Sequence, residues 1–263
     1  VTPHRDKVRT QHGFASLIQW PGAGLGLVWL DGRAIPPDAP EGVGNMALRA
    51  AAFDSTGQLL KESVVAPRVC ECCPTAAAET TDGLIVAYRN RSLGEVRDIY
   101  VTRLLNGRWT TPAPVHQDGW VIKACPINGP AISAHGRDVA VAWFTGKGDT
   151  GHAFVAFSRD GGGTFGSPVR LDDASSLGRV GVDLLRDGSA VGTWVEFANG
   201  NRPSTFMVRR VDAMGKRGPS VRIADAGGTR YPRVGLSGSE LLFAWTETVD
   251  GAPRVRTAHA MLQ

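Results

Sequence analysis

The sequence predicts an all-β chain, a β-propeller of four-stranded antiparallel blades. Three observations support this fold class: a short apolar strand that recurs five times, glycine-containing turns next to it, and a composition rich in turn residues. The chain has 263 residues, of which 33 are Gly and 16 are Pro, and this favours many short strands over long helices. We expect residues 1–263 to form a single propeller domain with a sizeable core.

The recurring strand ends in an aromatic residue. The aromatic positions are separated by 59, 55, 51 and 51 residues, a regularity that indicates structural repeats. They are Trp29, Tyr88, Trp143, Trp194 and Trp245. We expect the tryptophans to form the blade cores and not a platform on which sugars stack.

Tight turns precede the aromatic strand in the last four repeats, and a third strand follows it. The turns are Thr81-Asp82-Gly83, His135-Gly136-Arg137, Arg186-Asp187-Gly188 and Ser237-Gly238-Ser239, where glycine supplies the positive φ that such hairpins need. The predicted third strands are 98–105, 153–158, 205–211 and 254–260. Four strands in about 50 residues is the size of a propeller blade.

The two ends of the chain predict how the blades close. The opening residues Val1-Thr2-Pro3 resemble the fourth-strand starts at Ala113 and Ser167. We therefore expect the N-terminal strand to complete the last blade, which would remove two open sheet edges. Five blades would result, and a six-bladed ring with a further blade upstream is the alternative.

Bulk charge and hydropathy exclude some classes of partner. The net charge of +4 is spread along the chain without a Lys/Arg run, so neither nucleic acid nor a membrane surface is indicated. No apolar stretch approaches the roughly 18 residues that span a bilayer, and residues 1–11 are too polar for a signal peptide. We expect a bacterial protein that is exported to the periplasm or secreted, with its leader not present in this chain.

One loop carries a resemblance to a known family. The segment Ser158-Arg159-Asp160-Gly161-Gly162-Gly163-Thr164-Phe165 matches the Asp-box, or BNR repeat, of the sialidase superfamily at every fixed position. Asp160 can accept hydrogen bonds from turn amides, the glycines permit the tight path, and Phe165 fills the apolar layer. Together with the repeats, this makes nearly the whole chain resemble a bacterial sialidase-like propeller, in which the Asp-box stabilises the blade and lies away from the active face.

The four cysteines lie in segments between blades, which a propeller gathers at one face. Three are in Cys70-Glu71-Cys72-Cys73, and Cys125 has a similar Cys-Pro setting. One interpretation is a disulfide from Cys125 to Cys70, Cys72 or Cys73. A second is a soft-metal site for copper or zinc, with His12 as an extra ligand. Thiol redox chemistry is a third.

Arginines and acids on the same face suggest a ligand site. Guanidinium groups match carboxylates, so Arg33, Arg89, Arg97 and Arg233 are candidate anion ligands. In the sialidases that this chain resembles, three arginines hold the substrate carboxylate, a Tyr/Glu pair acts as the nucleophile and an Asp acts as the acid/base. On that basis Tyr231, paired with Glu247 or Glu196, is a candidate catalytic group.

The sequence therefore supports three functional hypotheses. The first is an exported propeller whose central face, lined by the cysteines and arginines, binds a small ligand, most specifically a soft metal ion such as copper. The second is a sialidase-type glycoside hydrolase, and the third is a non-catalytic module that docks a protein partner in an envelope complex. Catalysis is not established by the sequence.

Overall fold

The computed structural model describes residues 10–22, 24–36, 38–39, 44–197, 204–226 and 231–262. This part of the chain is built from β-strands, with one short 3-10 turn at Lys147–Asp149. It divides into two compact units, Val1–Gly129 and Pro130–Gln263. Within the described ranges, no helix is both long and apolar enough to cross a lipid bilayer. A single domain over residues 1–263 stays a prediction.

The first unit contains two antiparallel sheets. One has the order β1-β2-β3-β4, and the other has the order β5-β6-β7-β8 with β9 paired to β7. The strands are β1 His12–Ile18, β2 Leu25–Asp31, β3 Met46–Phe53, β4 Leu59–Val69, β5 Ala76–Thr80, β6 Gly83–Arg89, β7 Ile99–Leu105, β8 Arg108–Trp109 and β9 Ala113–Pro114.

The second unit contains three antiparallel sheets. Their orders are β10-β11-β12-β13, β14-β15-β16-β17 and β18-β19-β20. The strands are β10 Ala131–His135, β11 Asp138–Thr145, β12 His152–Ser158, β13 Val169–Arg170, β14 Ser176–Leu184, β15 Ala190–Glu196, β16 Thr205–Val211, β17 Arg217–Asp225, β18 Arg233–Ser237, β19 Glu240–Val249 and β20 Ala252–Met261.

These sheets confirm the predicted all-β fold of propeller blades. Each aromatic strand pairs with its neighbours in chain order, and the predicted turns join β5 to β6, β10 to β11, β14 to β15 and β18 to β19. The last sheet has three described strands. The N-terminal strand predicted to complete it falls within residues 1–9, outside the described residues.

The predicted blade aromatics form the core of the sheets. Trp29, Trp143 and Trp194 are at most 2% exposed, and Tyr88 is 1% exposed. Trp245 is half-buried and packs against the apolar cluster around Phe243. Small residues such as Ala50 and Ala140 fill the neighbouring strand positions, so large and small side chains interdigitate between sheets.

The segment predicted to be an Asp-box forms the connection between β12 and β13. The Asp160 carboxylate accepts hydrogen bonds from Ser158 Oγ at 2.7 Å, from the Thr164 N–H at 2.9 Å and from Thr164 Oγ1 at 2.8 Å. Gly162 has a φ of 84° and donates its N–H to Ser158 Oγ. Phe165 is half-buried. Asp54 and Asp212 hold comparable turns through backbone N–H groups two and four residues on.

Replacing Asp160 by Ala is expected to destabilise the protein by about 1–2 kcal/mol at neutral pH, the usual range for a side chain that caps backbone N–H groups. Partial burial raises the pKa of Asp160, but hydrogen bonds from Thr164 and Ser158 outweigh it and lower the pKa to about 2. The difference from wild type should therefore shrink as pH falls below about 4 towards 2. Urea unfolding at several pH values measures it. Asp160→Asn, which keeps an acceptor oxygen, should lose less stability than Asp160→Ala. Equal stability of the wild type and both variants would contradict this account.

Candidate functional site

The cysteine centre comprises Cys70, Cys72, Cys73 and Cys125, all in the first unit. Strand β4 ends at Val69, and the Cys70 N–H donates to the Arg89 carbonyl oxygen at 2.9 Å, which fixes the start of the turn. The turn leads through Pro74 into β5. Cys125 lies in the loop that follows β9.

Two features bring the loop of Cys125 onto the turn of Cys70. A Cβ built at Gly129 would lie 2.0 Å from the Pro74 carbonyl oxygen, so only glycine allows this crossing. The buried Arg89 guanidinium donates to the carbonyl oxygens of Asn128 at 2.7 Å and Arg97 at 2.6 Å. Its Cζ also lies 5.1 Å from the ring centroid of Trp120, a cation–π distance.

Cys72 and Cys125 form a disulfide. Their Cα atoms are 6.0 Å apart, which suits such a bond. This confirms the interpretation that pairs Cys125 with one of the clustered cysteines. Cys70 and Cys73 are free thiols.

The free thiols lie against the disulfide. The Cys70 Sγ is 3.1 Å from the Cys73 Sγ and 3.7 Å from the Cys72 Sγ. Arg97 Nη1 donates to the Cys70 Sγ at 3.3 Å. The sulfurs of Cys70, Cys72 and Cys73 lie within 4.8 Å of one another and form a group that could hold a metal ion.

The two free thiols have opposite acidities. The hydrogen bond from the Cys73 thiol lowers the pKa of Cys70 to about 6. The Cys72 N–H and Arg97 act in the same direction, whereas burial opposes them. Burial, and then donation to Cys70, raises the pKa of Cys73 well above its ordinary value. At neutral pH the pair is therefore a Cys70 thiolate that accepts a hydrogen bond from the Cys73 thiol.

Three of the predicted anion-binding arginines lie in the first unit and are engaged by protein groups. Arg33 pairs with Asp31 at 2.7 Å and Glu62 at 3.1 Å, and Arg89 holds the backbone as described. Arg97 pairs with Glu95 at 2.9 Å as well as donating to Cys70. The His12 ring lies 3.4 Å from Asp31.

A second cluster of predicted residues lies in the second unit, around Tyr231. Arg179 Nη1 donates to the Tyr231 hydroxyl at 3.1 Å, and the Arg179 Cζ is 4.8 Å from the ring centroid. The Arg233 Cζ is 5.9 Å from the same centroid. Tyr231 precedes Pro232, which restricts its backbone to extended conformations. The result is a phenol with two guanidinium groups near its ring, and paired guanidinium groups are suited to a carboxylate.

The sequence analysis did not single out Arg179, and a bulge explains how its side chain reaches Tyr231. The pairing of β14 with β15 shifts register between Ser176 and Gly181. Ser176 Oγ accepts the Gly178 N–H at 2.8 Å, and Arg179 has a φ of 55°. Bulges redirect single side chains, and strained non-glycine backbone often marks functional positions. The doublet Leu177-Gly178 is the only signal of the bulge in the sequence.

The two candidate acids are bound by neighbouring groups. Glu196 accepts hydrogen bonds from the Trp194 indole N–H and from the Ala174 N–H. Asp31 accepts the Trp29 indole N–H in the same way, at 2.8 Å. Glu247 forms an ion pair with Arg256 at 2.8 Å. A catalytic role for Tyr231, Glu247 or Glu196 stays a prediction.

Asp183, which the sequence analysis did not single out, is a half-buried acid on β14. Within the described residues its Oδ2 is buried without a hydrogen-bond partner, and burial raises its pKa to about 6. It lies four residues beyond Arg179 on the same strand.

Comparisons with known proteins establish the fold. No protein-family model matches the chain, and no curated protein matches its sequence. An α-L-arabinanase from Penicillium chrysogenum is 12% identical with a TM-score of 0.55, and the match covers 92% of this chain and 78% of that one. An α-L-arabinofuranosidase from Podospora anserina is 10% identical with a TM-score of 0.51, covering 97% and 92%. The chain shares the fold of five-bladed β-propeller glycoside hydrolases.

A sialidase structure is also similar. The Hadza microbial sialidase is 20% identical with a TM-score of 0.48 over 84% of this chain. The chain spans 53% of the length of that sialidase.

Replacing Cys73 by Ala is expected to raise the pKa of Cys70 above about 6, because the largest stabilising contact of the thiolate is the Cys73 hydrogen bond. A pH titration of thiolate ultraviolet absorbance measures this. Cys73→Ser keeps a hydroxyl donor at the same place and should shift the pKa of Cys70 less. An unchanged titration in Cys73→Ala would show that Arg97 and the backbone suffice.

Replacing Asp183 by Asn is expected to stabilise the protein by about 1–3 kcal/mol at pH 8, taking roughly 1.4 kcal/mol for each pKa unit. The ionised carboxylate is disfavoured in the fold, so the gain is full above pH 6 and vanishes below about pH 4, where both states bind the proton. Urea unfolding at pH 4 and pH 8 measures the difference. Asp187→Asn is the control on the following turn. Hydrogen bonds from Ser189 lower the pKa of Asp187, so removing this carboxylate should destabilise the protein at pH 8. A pH-independent effect of Asp183→Asn would refute this explanation.

Proposed function

We propose that the protein is an exported, carbohydrate-active β-propeller that binds a glycoside of an acidic sugar beside Tyr231. The observation that carries the proposal is the pair of arginines at the Tyr231 ring, Arg179 and Arg233, with the Arg179 Nη1 3.1 Å from the hydroxyl oxygen. The fold shared with the arabinanase and the arabinofuranosidase supports a carbohydrate substrate. Export is supported by the Cys72–Cys125 disulfide, since such bonds persist in oxidising compartments.

The geometry supports recognition of the sugar carboxylate in particular. Two guanidinium groups near one aromatic ring provide forked N–H donors for an anion. The resemblance to sialidases adds a role for Tyr231, whose hydroxyl would attack the anomeric carbon. In the hydrolase form of this proposal, Glu247 or Glu196 would assist that attack after release from its present partner.

Arg233→Ala is expected to weaken binding of free N-acetylneuraminic acid about tenfold or more, because a hydrogen bond to a charged group contributes about 1.5–3 kcal/mol. Isothermal titration calorimetry measures the dissociation constant. Arg222→Ala is the matched control, since Arg222 is an exposed arginine of the same unit that pairs with Asp225. Its binding should equal that of wild type.

Hydrolysis is tested separately with fluorogenic aryl glycosides of sialic acid, a uronic acid and arabinose. Tyr231→Phe keeps the ring and removes the hydroxyl, so a nucleophilic role predicts lost kcat with KM preserved. Binding of neutral sugars only, or equal binding by wild type and Arg233→Ala, would contradict the acidic-sugar proposal.

A soft-metal site is a second candidate function, favoured by the three sulfurs within 4.8 Å of one another at the cysteine centre. Thiolates select Cu(I) or Zn(II). Cys72 would become a ligand only after reduction of its bond to Cys125, so the proposal predicts metal binding by the reduced protein. Metal analysis of protein purified with and without a reductant measures it.

A further inference from the structure

The four sulfurs form a line from the surface of the first unit to its interior. Cys125 is exposed and Cys72 is half-buried, whereas Cys70 and Cys73 are 0% and 1% exposed. The Cys125–Cys72 bond is followed by a 3.7 Å contact from Cys72 to Cys70 and a 3.1 Å contact from Cys70 to Cys73. Every sulfur is therefore in contact with the next.

A disulfide that only stabilises the fold has no need of free thiols behind it. A free cysteine sulfur in van der Waals contact with a disulfide sulfur, as Cys70 Sγ is with Cys72 Sγ at 3.7 Å, is the starting arrangement for thiol–disulfide exchange. Arg97, whose Nη1 lies 3.3 Å from the Cys70 Sγ, provides positive charge at the attacking atom. Cys70 and Cys73 have the C-x-x-C spacing that closes readily into a disulfide.

We propose that the cysteine centre is a thiol–disulfide relay that passes two electrons from the buried Cys70/Cys73 dithiol to the Cys72–Cys125 disulfide, and from there to a disulfide-bearing partner. This inference is independent of the carbohydrate site, because it involves only residues of the first unit.

The first half of the relay is an internal exchange. The Cys70 thiolate attacks the Cys72 Sγ, the Cys70–Cys72 bond forms, and Cys125 leaves as a thiolate. Cys73 then loses its proton and attacks the Cys70 Sγ, forming Cys70–Cys73 and releasing Cys72 as a thiolate. The outer pair takes up the proton. The inner pair is oxidised and the outer pair reduced, so no external oxidant is needed.

The second half takes place at the surface. The exposed Cys125 thiolate attacks a disulfide of the partner, giving a mixed disulfide and one partner thiol. Cys72 resolves it by attacking Cys125, which restores Cys72–Cys125 and releases the second partner thiol. A dithiol reductant resets the inner pair through the reverse path. The partner therefore needs an accessible disulfide and no other feature.

Labelling of native protein with a bulky polymer-linked maleimide tests the internal exchange. Protein purified without reductant is incubated anaerobically with the reagent, quenched in acid and mapped by mass spectrometry. The relay predicts label on Cys125 and Cys72 together with a new Cys70–Cys73 disulfide, because only the outer sulfurs reach the surface. Label confined to Cys70 and Cys73, or no label, with Cys72–Cys125 intact, would overturn the proposal.

Two variants keep the test decisive. Cys73→Ser should stop the relay after its first step, with label on Cys125 and a Cys70–Cys72 disulfide. Cys70→Ser should reduce labelling of Cys125 to background, and near-ultraviolet circular dichroism checks that each variant is folded. Stoichiometric copper or zinc in the native protein, with labelling only after a chelator is added, would instead show a metal site and overturn the relay.

Oxidised glutathione and a disulfide-bonded reporter protein, offered separately to labelled and unlabelled protein, test the surface step. Release of two thiols from either probe, with Cys72–Cys125 restored and Cys70–Cys73 oxidised, supports it and identifies a small or a protein partner. Release of no thiol from either probe would overturn transfer to a partner. None of these outcomes depends on sugar binding, so the relay and the carbohydrate proposal can fail independently.

Discussion

The buried guanidinium of Arg89 is the constraint on which the arrangement of the first unit depends. It ends β6, donates to the carbonyl oxygens of Asn128 and Arg97, and lies over Trp120. An unpaired buried charge would cost several kcal/mol, so these segments must converge on it. Their convergence places Arg97 beside Cys70 and the loop of Cys125 above Cys72. Arg89, a candidate anion ligand from the sequence, thus also holds the cysteine centre together, and its binding of a ligand stays a prediction.

The fold could be predicted because its signal is repeated. Five aromatic strands with neighbouring glycine turns show the same local pattern, so each repeat supports the assignment of the others as blades. The cysteine centre had no such redundancy. The disulfide to Cys125 could be expected as one of several pairings, but the choice of Cys72 depends on a crossing of Gly129 over Pro74 that no local pattern encodes. The opposite acidities of Cys70 and Cys73 follow from the hydrogen bond between the two sulfurs and from burial, and burial depends on the tertiary structure.

Two acids show how the repeat produces the same contact twice. Asp31 and the candidate acid Glu196 each lie two residues after a buried tryptophan whose indole N–H they accept. An indole buried in a blade needs an acceptor, so both acids satisfy a structural requirement, and a catalytic role for Glu196 stays a prediction. Arg179 is a residue that the repeat did not indicate. Its side chain reaches Tyr231 because of a bulge and a left-handed backbone. A prediction from the simple alternation of side chains along β14 would miss this orientation.

The disulfide joins residues 53 positions apart in the chain, whereas Cys70, Cys72 and Cys73 are immediate neighbours. In an unfolded chain, closing a short loop costs less conformational entropy than closing a long one, so random oxidation would favour pairs within the cluster. The native bond therefore depends on the folded first unit, which brings the loop of Cys125 to the turn of Cys72 through the crossing of Gly129 over Pro74.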